Sequence, residues 1–476
     1  MALASGPTRR IDLSIAPSRL STAPLLLETR RAVAAGEQSA AAASAAADAR
    51  VRAANGALHA FVHLPEVPAA LPPAAIRGDA PLAGIAVAVK DVIDTADLPT
   101  GYGSRIDPTY LPPRDAWVVA RLRSLGATVL GKTVTTEFAW RFPGPTVNPW
   151  QAAHTPGGSS SGSAAAVGAG LVPLALGTQT MGSVIRPAAY CGAVGFKPSY
   201  GAIGRTGMFP FALSLDHVGL FTRSVDDLDY VFGLLAGIDH EDRHGSLAAD
   251  FPGPAVPVPA AIPDSAAASS GRAMRIGIVR TSRWNEVEPY QQALIEATGR
   301  RLAEAGAEVI EIPLPTAFDA AWSCAATILA AEAAAVHRER VLEYPTLVSP
   351  QLKELVADGA RFGAIDYLDA RATQASLKAA FERWLVAGHA LDALLTTPAT
   401  GEAPRGLDYT GDTTFCVPWT LLGVPAVTIP AGFGPNGLPL GVQFVGGYGR
   451  DRQLLALARW CERALGFSIG DPPSGA

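Results

Sequence analysis

The chain has 476 residues, 49% of them hydrophobic and 17% charged, with a formal net charge of −5. That content buries a large core and excludes disorder of the whole chain. The mild acidity leaves no electrostatic footprint for nucleic acid or an anionic membrane, and length alone suggests about three domains.

Residues 1–17, MALASGPTRRIDLSIAP, lack an apolar run long enough for a signal peptide. Residues 22–55 are Ala-rich with interspersed charges, which predicts one or two helices. ALHAFVHL at 57–64 alternates like a strand, and 65–80 is a Pro/Ala loop. GIAVAVKDVID at 84–94 reads as a buried strand; taken alone, Lys90 is a strand-end lysine that snorkels to solvent. Residues 115–133 read as a helix, Gly126, then a strand. Gly126, Gly131, Lys132 and Thr133 also satisfy GxxxxGKT, but a phosphate loop needs a strand before its first Gly and a flexible loop after it. Here a helix precedes and Ala127–Leu130 is strand-like, so a helix cap and a solvated Lys132 are expected.

TTEFAWRFPGPTVNPW at 135–150 is an aromatic, Pro-rich loop that could wall a pocket. Residues 155–201 then form the densest Gly/Ser stretch of the chain, with GGSSSGS at 157–163 and MGSVIR at 181–186 around a small apolar run. That run, 164–176, is broken by Gly168, Gly170 and Pro173 and is too short to span a bilayer. Small residues around hydroxyls mean close backbone approach, and the alternatives are nucleophilic serines or Ser-rich turns flanking a core helix. Gly158-Ser159-Ser160-Ser161-Gly162 fits GxSxG, but a nucleophile elbow needs a strand directly before it, and Pro156-Gly157 break one. Farther on, Asp216-His217 invites a dyad, yet adjacent strand residues point to opposite faces.

Residues 250–272 are a Pro/Ala/Ser-rich loop. RIGIVR at 275–280, a helix at 288–306 and a strand at 308–313 form a β-α-β unit. Residues 316–390 are helical and cap the sheet; Glu332 and His337 there lack zinc spacing and read as a solvated face. Strands at 393–400 and 426–433 return to the sheet, and a helix at 451–466 closes the chain. Cys191, Cys324, Cys416 and Cys461 form no CxxC pair and no metal spacing, the pattern of buried thiols in a reducing compartment. A cytoplasmic location is the expectation.

The GGSS cluster, the turn Gly177-Thr178-Gln179-Thr180-Met181-Gly182-Ser183, the run RPAAYCG and then GFKP resemble the amidase signature hydrolases, which work through a Ser–cis-Ser–Lys triad. Ser159 and Ser183 reproduce the family's fixed serine spacing, PLAGIAVAVKDVIDT supplies Lys90, and the likeness runs from about residue 22 to 468. Gln179, Met181 and Ser161 depart from the frequent Asp, Gly and Gly, without removing a triad atom. The resemblance overrules the three-domain prior. It implies one α/β domain over 1–476, with a large, mostly parallel or mixed sheet covered by helices on both faces. The triad core would occupy about 60–235 and the C-terminal sheet return 391–470.

By that resemblance Ser183 is the nucleophile, Ser159 the proton relay across a cis Gly158–Ser159 peptide, and Lys90 the base. A base lysine requires the depressed pKa that burial provides. The backbone N–H groups of Thr180, Met181, Gly182 and Ser183 would bind the oxyanion. No metal or organic cofactor is needed. Phe138, Trp140, Phe142, Phe209 and Phe211 would line the substrate site with Gly157 and Gly158. Glu137 and Arg141 would pair at i, i+4 were that loop helical, leaving little to clamp free glutamine. The expected substrate is a neutral, apolar or aryl amide, with carbamates (urethanes) and esters offering the same carbonyl to a monomer or homodimer. The rivals are the glutamine-hydrolysing subunit of a tRNA-dependent amidotransferase, which needs a partner subunit, and a catalytically silent binding protein.

Overall fold

A computed structural model describes residues 23–67, 71–72, 75, 80–237, 239–242 and 273–473. The Pro/Ala-rich stretch 250–272 lies outside them. The chain opens with helices α1 (Leu26–Ala34) and α2 (Ala40–Leu58). The Ser39 side chain caps α2 by accepting from Ala42 N at 3.1 Å. The helix runs to Leu58 and stops at His59, whose φ is 53°. Strand β1 (Phe61–His63) is therefore shorter than the alternation at 57–64 suggests.

The remaining strands are β2 (Ala86–Lys90), β3 (Thr128–Thr133), β4 (Leu174–Gln179), β5 (Val194–Lys197), β6 (His217–Thr222), β7 (Arg275–Arg280), β8 (Glu308–Pro313), β9 (Ala393–Thr396), β10 (Ala426–Phe433) and β11 (Pro439–Val445). They form one 11-stranded sheet in the order β1-β3-β2-β4-β6-β5-β10-β11-β9-β7-β8. The sheet is mixed. Parallel pairs lie toward its two flanks, β3-β2-β4 and β9-β7-β8, and the middle from β4 to β9 is antiparallel. Parallel strands covered on both faces read as continuous apolar runs, which is the pattern of AVAV in β2.

Strand alternation decides which face each lysine takes. Val87 and Val89 join the core on the side of α3 (Trp117–Ser124) and α6 (Val225–Leu235). Ala86 and Ala88 pack on the opposite side, against α4 (Ser161–Gly168) and α5 (Ile185–Cys191). With a period of two, Lys90 turns toward α4. Lys132 sits level with Val89 in the β2–β3 register and turns the other way.

The small residues of α4 serve close packing within the protein. A Cβ at Gly162 would lie 2.1 Å from the Ala60 carbonyl oxygen, and one at Gly168 would lie 2.2 Å from that of Cys191. Helix α7 (Pro289–Glu304) links β7 to β8, and α12 (Asp451–Leu465) closes the same face. Above the site stand α8 (Ala320–Glu343), α9 (Pro350–Gly359) and α10 (Ala364–Glu382), followed by one π-helical turn at Arg383–Gly388. Thr316–Glu343 is long and apolar enough to cross a membrane by length and composition, and half of its most apolar 18-residue stretch is buried in this fold. A short helix, α11 (Val417–Leu421), packs beneath α8.

Candidate active site

Three segments meet where β2 and β4 end. Lys90, the last residue of β2, is fully buried. Its Nζ donates to Ser159 Oγ at 2.7 Å and to Thr178 Oγ1 at 2.7 Å, with the Thr178 carbonyl at 3.5 Å. Burial pushes the ammonium well below its usual pKa, and the charge of Asp216 offsets part of that. Ser159 follows a cis Gly158–Ser159 peptide. Ser159 and Ser183 line one cleft. Ser160 is fully buried, donating its Oγ to the Thr178 carbonyl at 3.1 Å and accepting from Thr178 N at 3.2 Å. It ties the start of α4 to β4, and the GxSxG match has no exposed hydroxyl to offer.

The turn Thr180–Ser183 leaves β4 under three braces. Gln179 Oε1 accepts from Val184 N at 2.9 Å and Ile185 N at 3.0 Å, capping α5 with an amide oxygen. Its Nε2 donates to Thr420 Oγ1 at 2.9 Å, and that hydroxyl lies 2.9 Å from the Met181 carbonyl. Thr180 Oγ1 donates to Asp216 Oδ1 at 2.7 Å, while Asp216 Oδ2 accepts from Phe211 N at 2.8 Å and Ala212 N at 3.0 Å. Among the described residues, no protein acceptor takes the backbone N–H groups of Met181, Gly182 or Ser183. Met181 is partly exposed on the cleft wall.

The cleft holds about 620 Å³. Of the expected wall aromatics it takes Trp140 and Phe211, whose rings stack at 5.5 Å. Phe138 and Phe209 are instead packed behind the wall with Tyr102 and His337. The reason is local: Glu137–Ala139 is a single 3-10 turn with Phe138 at φ 47° and Ala139 at φ 63°, which turns the Phe138 ring inward. Phe142 is 43% exposed outside the cleft. Gly157, at φ +81°, lies against Pro187, and the Gly158 carbonyl accepts from buried Arg186. The same turn separates Glu137 from Arg141. Glu137 accepts from Ser349 N at 3.1 Å at the head of α9, and Arg141 lies 4.9 Å over the Trp140 ring.

Half of the cleft was not legible from the signature. Ala326, Leu329 and Leu355 come from α8 and α9, and Tyr409 and Asp412 from the loop before α11. Glu354, Asp358 and Arg361 add charge to the wall, so the expectation of a cleft almost without ionised groups does not hold. Their signal lies far along the chain from the serines, on helix faces that look solvated.

Other expectations resolve differently. Lys132 is fully buried, donating to Thr100 Oγ1 at 2.5 Å and lying 3.4 Å from Asp91, and burial lowers its pKa to about 8. Gly126, at φ +91°, ends α3, and β3 starts two residues later without a phosphate loop. His217 Nδ1 lies 2.6 Å from the Leu215 carbonyl while Asp216 turns to Thr180, so the two do not form a dyad. His337 is fully buried among Phe138, Phe209 and Phe211 rather than solvated. Glu332 accepts from Ser214 N at 2.9 Å and Tyr367 OH at 2.7 Å, tying the 209–216 loop to the helical cap.

A mixed sheet with two serines on one cleft and a lysine buried beneath them is the architecture of amidase signature enzymes. The chain belongs to the Amidase family, whose sequence profile matches residues 43–455. A glutamyl-tRNA(Gln) amidotransferase subunit of Rhodopirellula baltica is 33% identical, over 92% of this chain and 96% of the relative. The native peptide amidase of Stenotrophomonas maltophilia superposes with a TM-score of 0.75 at 26% identity, covering 95% of this chain and 99% of that one. A crystal structure described as an amidase gives a TM-score of 0.78 at 29% identity, covering 92% and 99%.

Proposed function

We propose that the chain, working as one domain, hydrolyses the C–N bond of amides through an acyl-enzyme on Ser183. Ser183 Oγ attacks the carbonyl and loses its proton to Ser159, which passes its own to neutral Lys90. The oxyanion is held by the free N–H groups of Met181, Gly182 and Ser183. The proton returns by the same route to the departing amine, and water then releases the acyl group by the same acid–base exchange. The observation that carries this reading is a desolvated Lys90 with its Nζ 2.7 Å from the Oγ of Ser159, which lines the same cleft as Ser183. Trp140, Phe211, Met181 and Leu329 favour an apolar or aryl group near the scissile bond, in an amide or in a carbamate. An electrophilic phosphonate should label Ser183 alone, mapped by peptide mass spectrometry, and Ser183→Ala should abolish turnover while leaving the fold intact. Label on Ser160 would overturn the assignment.

The curated relatives favour a second reading, the glutamine-hydrolysing subunit of an amidotransferase. The charged groups on α9 and on the 409–413 loop are compatible with a glutamine zwitterion. Such a subunit works with a partner protein. The purified chain should be compared on 4-nitroacetanilide, an aryl carbamate and free glutamine by kcat/KM. Preference for the anilide or the carbamate supports the stand-alone hydrolase, and preference for glutamine supports the amidotransferase reading.

A further inference from the structure

We propose that Arg141 forms an anion subsite on the outer wall of the cleft, and that the substrate carries a carboxylate on the part reaching from the scissile carbonyl along Trp140 and Phe211. This rests on the reading of the cleft as the amide-binding site. Among the described residues three arginines line the cleft, and two have acceptors of their own. Arg186 is buried and donates to the Gly411 carbonyl at 2.6 Å and to the Gly158 carbonyl. Arg361 pairs with Asp358 at 3.1 Å. Arg141 is exposed, and among the described residues it has neither a carboxylate nor a carbonyl partner.

Arg141 does have one aromatic partner. Its guanidinium lies 4.9 Å from the centre of the Trp140 ring, a geometry in which the ring's negative face attracts the cation. Trp140 is itself fixed: its Nε1 donates to the Gln351 carbonyl at 3.2 Å, and its ring stacks on Phe211 at 5.5 Å with a 20° interplanar angle. A guanidinium lying over a ring face keeps N–H groups for hydrogen bonds, and its planar fork matches a carboxylate. The lining carboxylates do not occupy it. Asp358 is taken by Arg361, Asp412 accepts from Thr414 N at 2.6 Å, and Glu354 makes no ion pair with Arg141. Trp140 and Phe211 thus bring an apolar face and an unpaired guanidinium side by side on one stretch of the cleft wall.

The test pairs two 4-nitroanilides of similar length, glutaryl (anionic) and hexanoyl (neutral), at low ionic strength. The wild-type chain should favour the glutaryl compound in kcat/KM by roughly tenfold, the size of one charge-assisted contact. That ratio should fall to near one in Arg141→Gln and be partly kept in Arg141→Lys. Binding of both compounds is measured in parallel by calorimetry on Ser183→Ala, with and without Arg141→Gln. If neither compound is hydrolysed but binding keeps the Arg141-dependent preference, the hydrolase reading fails and the subsite stands. Equal binding and equal turnover of both compounds, or a preference that survives Arg141→Gln, would overturn the subsite.

Discussion

Two hydroxyls meet the Lys90 amine at the end of β2, and no water-exposed surface remains on it. Desolvation disfavours the ammonium, and the Asp216 charge restores only part of the loss. The form that accepts a proton is the neutral amine, so activity should rise with pH through this depressed pKa and fall as acid protonates the lysine. A pH–rate profile with no acidic limb down to the pH at which the protein unfolds would contradict that. Lys90→Ala should lower kcat by about 10²–10⁴ with little change in KM, read by steady-state kinetics. Thr178→Val removes the second partner and should cost about tenfold in kcat, on the scale of one buried hydrogen bond. That Lys90 meets Ser159, and that Ser159 shares a cleft with Ser183, was legible because their motif spacing is distinctive. The part of Thr178 was not, since a threonine at a strand end looks ordinary. Asp216 drew attention for its neighbour His217, whereas its partner Thr180 lies on another strand's turn.

Turns and helix heads carry the next level of order. Asp216 joins the Thr180–Ser183 turn to the loop that presents Phe211, through Thr180 Oγ1 on one oxygen and two backbone N–H groups on the other. Asp216→Asn should lower kcat, with catalysis restored in Asp216→Glu only where the longer side chain reaches Thr180; burial puts the native carboxyl near pKa 6. Glu137 heads α9 in the same manner, 3% exposed and accepting from Ser349 N. Glu137→Ala should destabilise the fold by about 1–3 kcal/mol, measured by urea unfolding, because a buried N–H is left without an acceptor. Elements with clean periodicity were legible: β7, β8 and β10 lie at the residues their patterns predict. Strands β4 and β5 were not singled out, because the Gly/Ser density around them hides the alternation. The Glu137–Arg141 pair failed because two residues at positive φ interrupt any helix there.

At the scale of the whole molecule, the two sides of the cleft come from different parts of the chain. Lys90, Ser159 and Ser183 sit at the ends of sheet strands and at the start of α4, while α8, α9 and the 409–413 loop supply the facing wall. Ala326, exposed on α8 and lining the cleft, offers a test. Ala326→Phe should reduce kcat/KM for aryl amides more than for acetamide and leave the pH–rate profile in place; a displaced profile would show that wall and base are coupled. A division of this kind bears on descent. Under the proposed mechanism, groups fixed at the ends of sheet strands tolerate little drift, whereas exposed cleft-facing positions such as Ala326 accept substitution cheaply, so lineages could acquire new substrates there while inheriting one unchanged reaction.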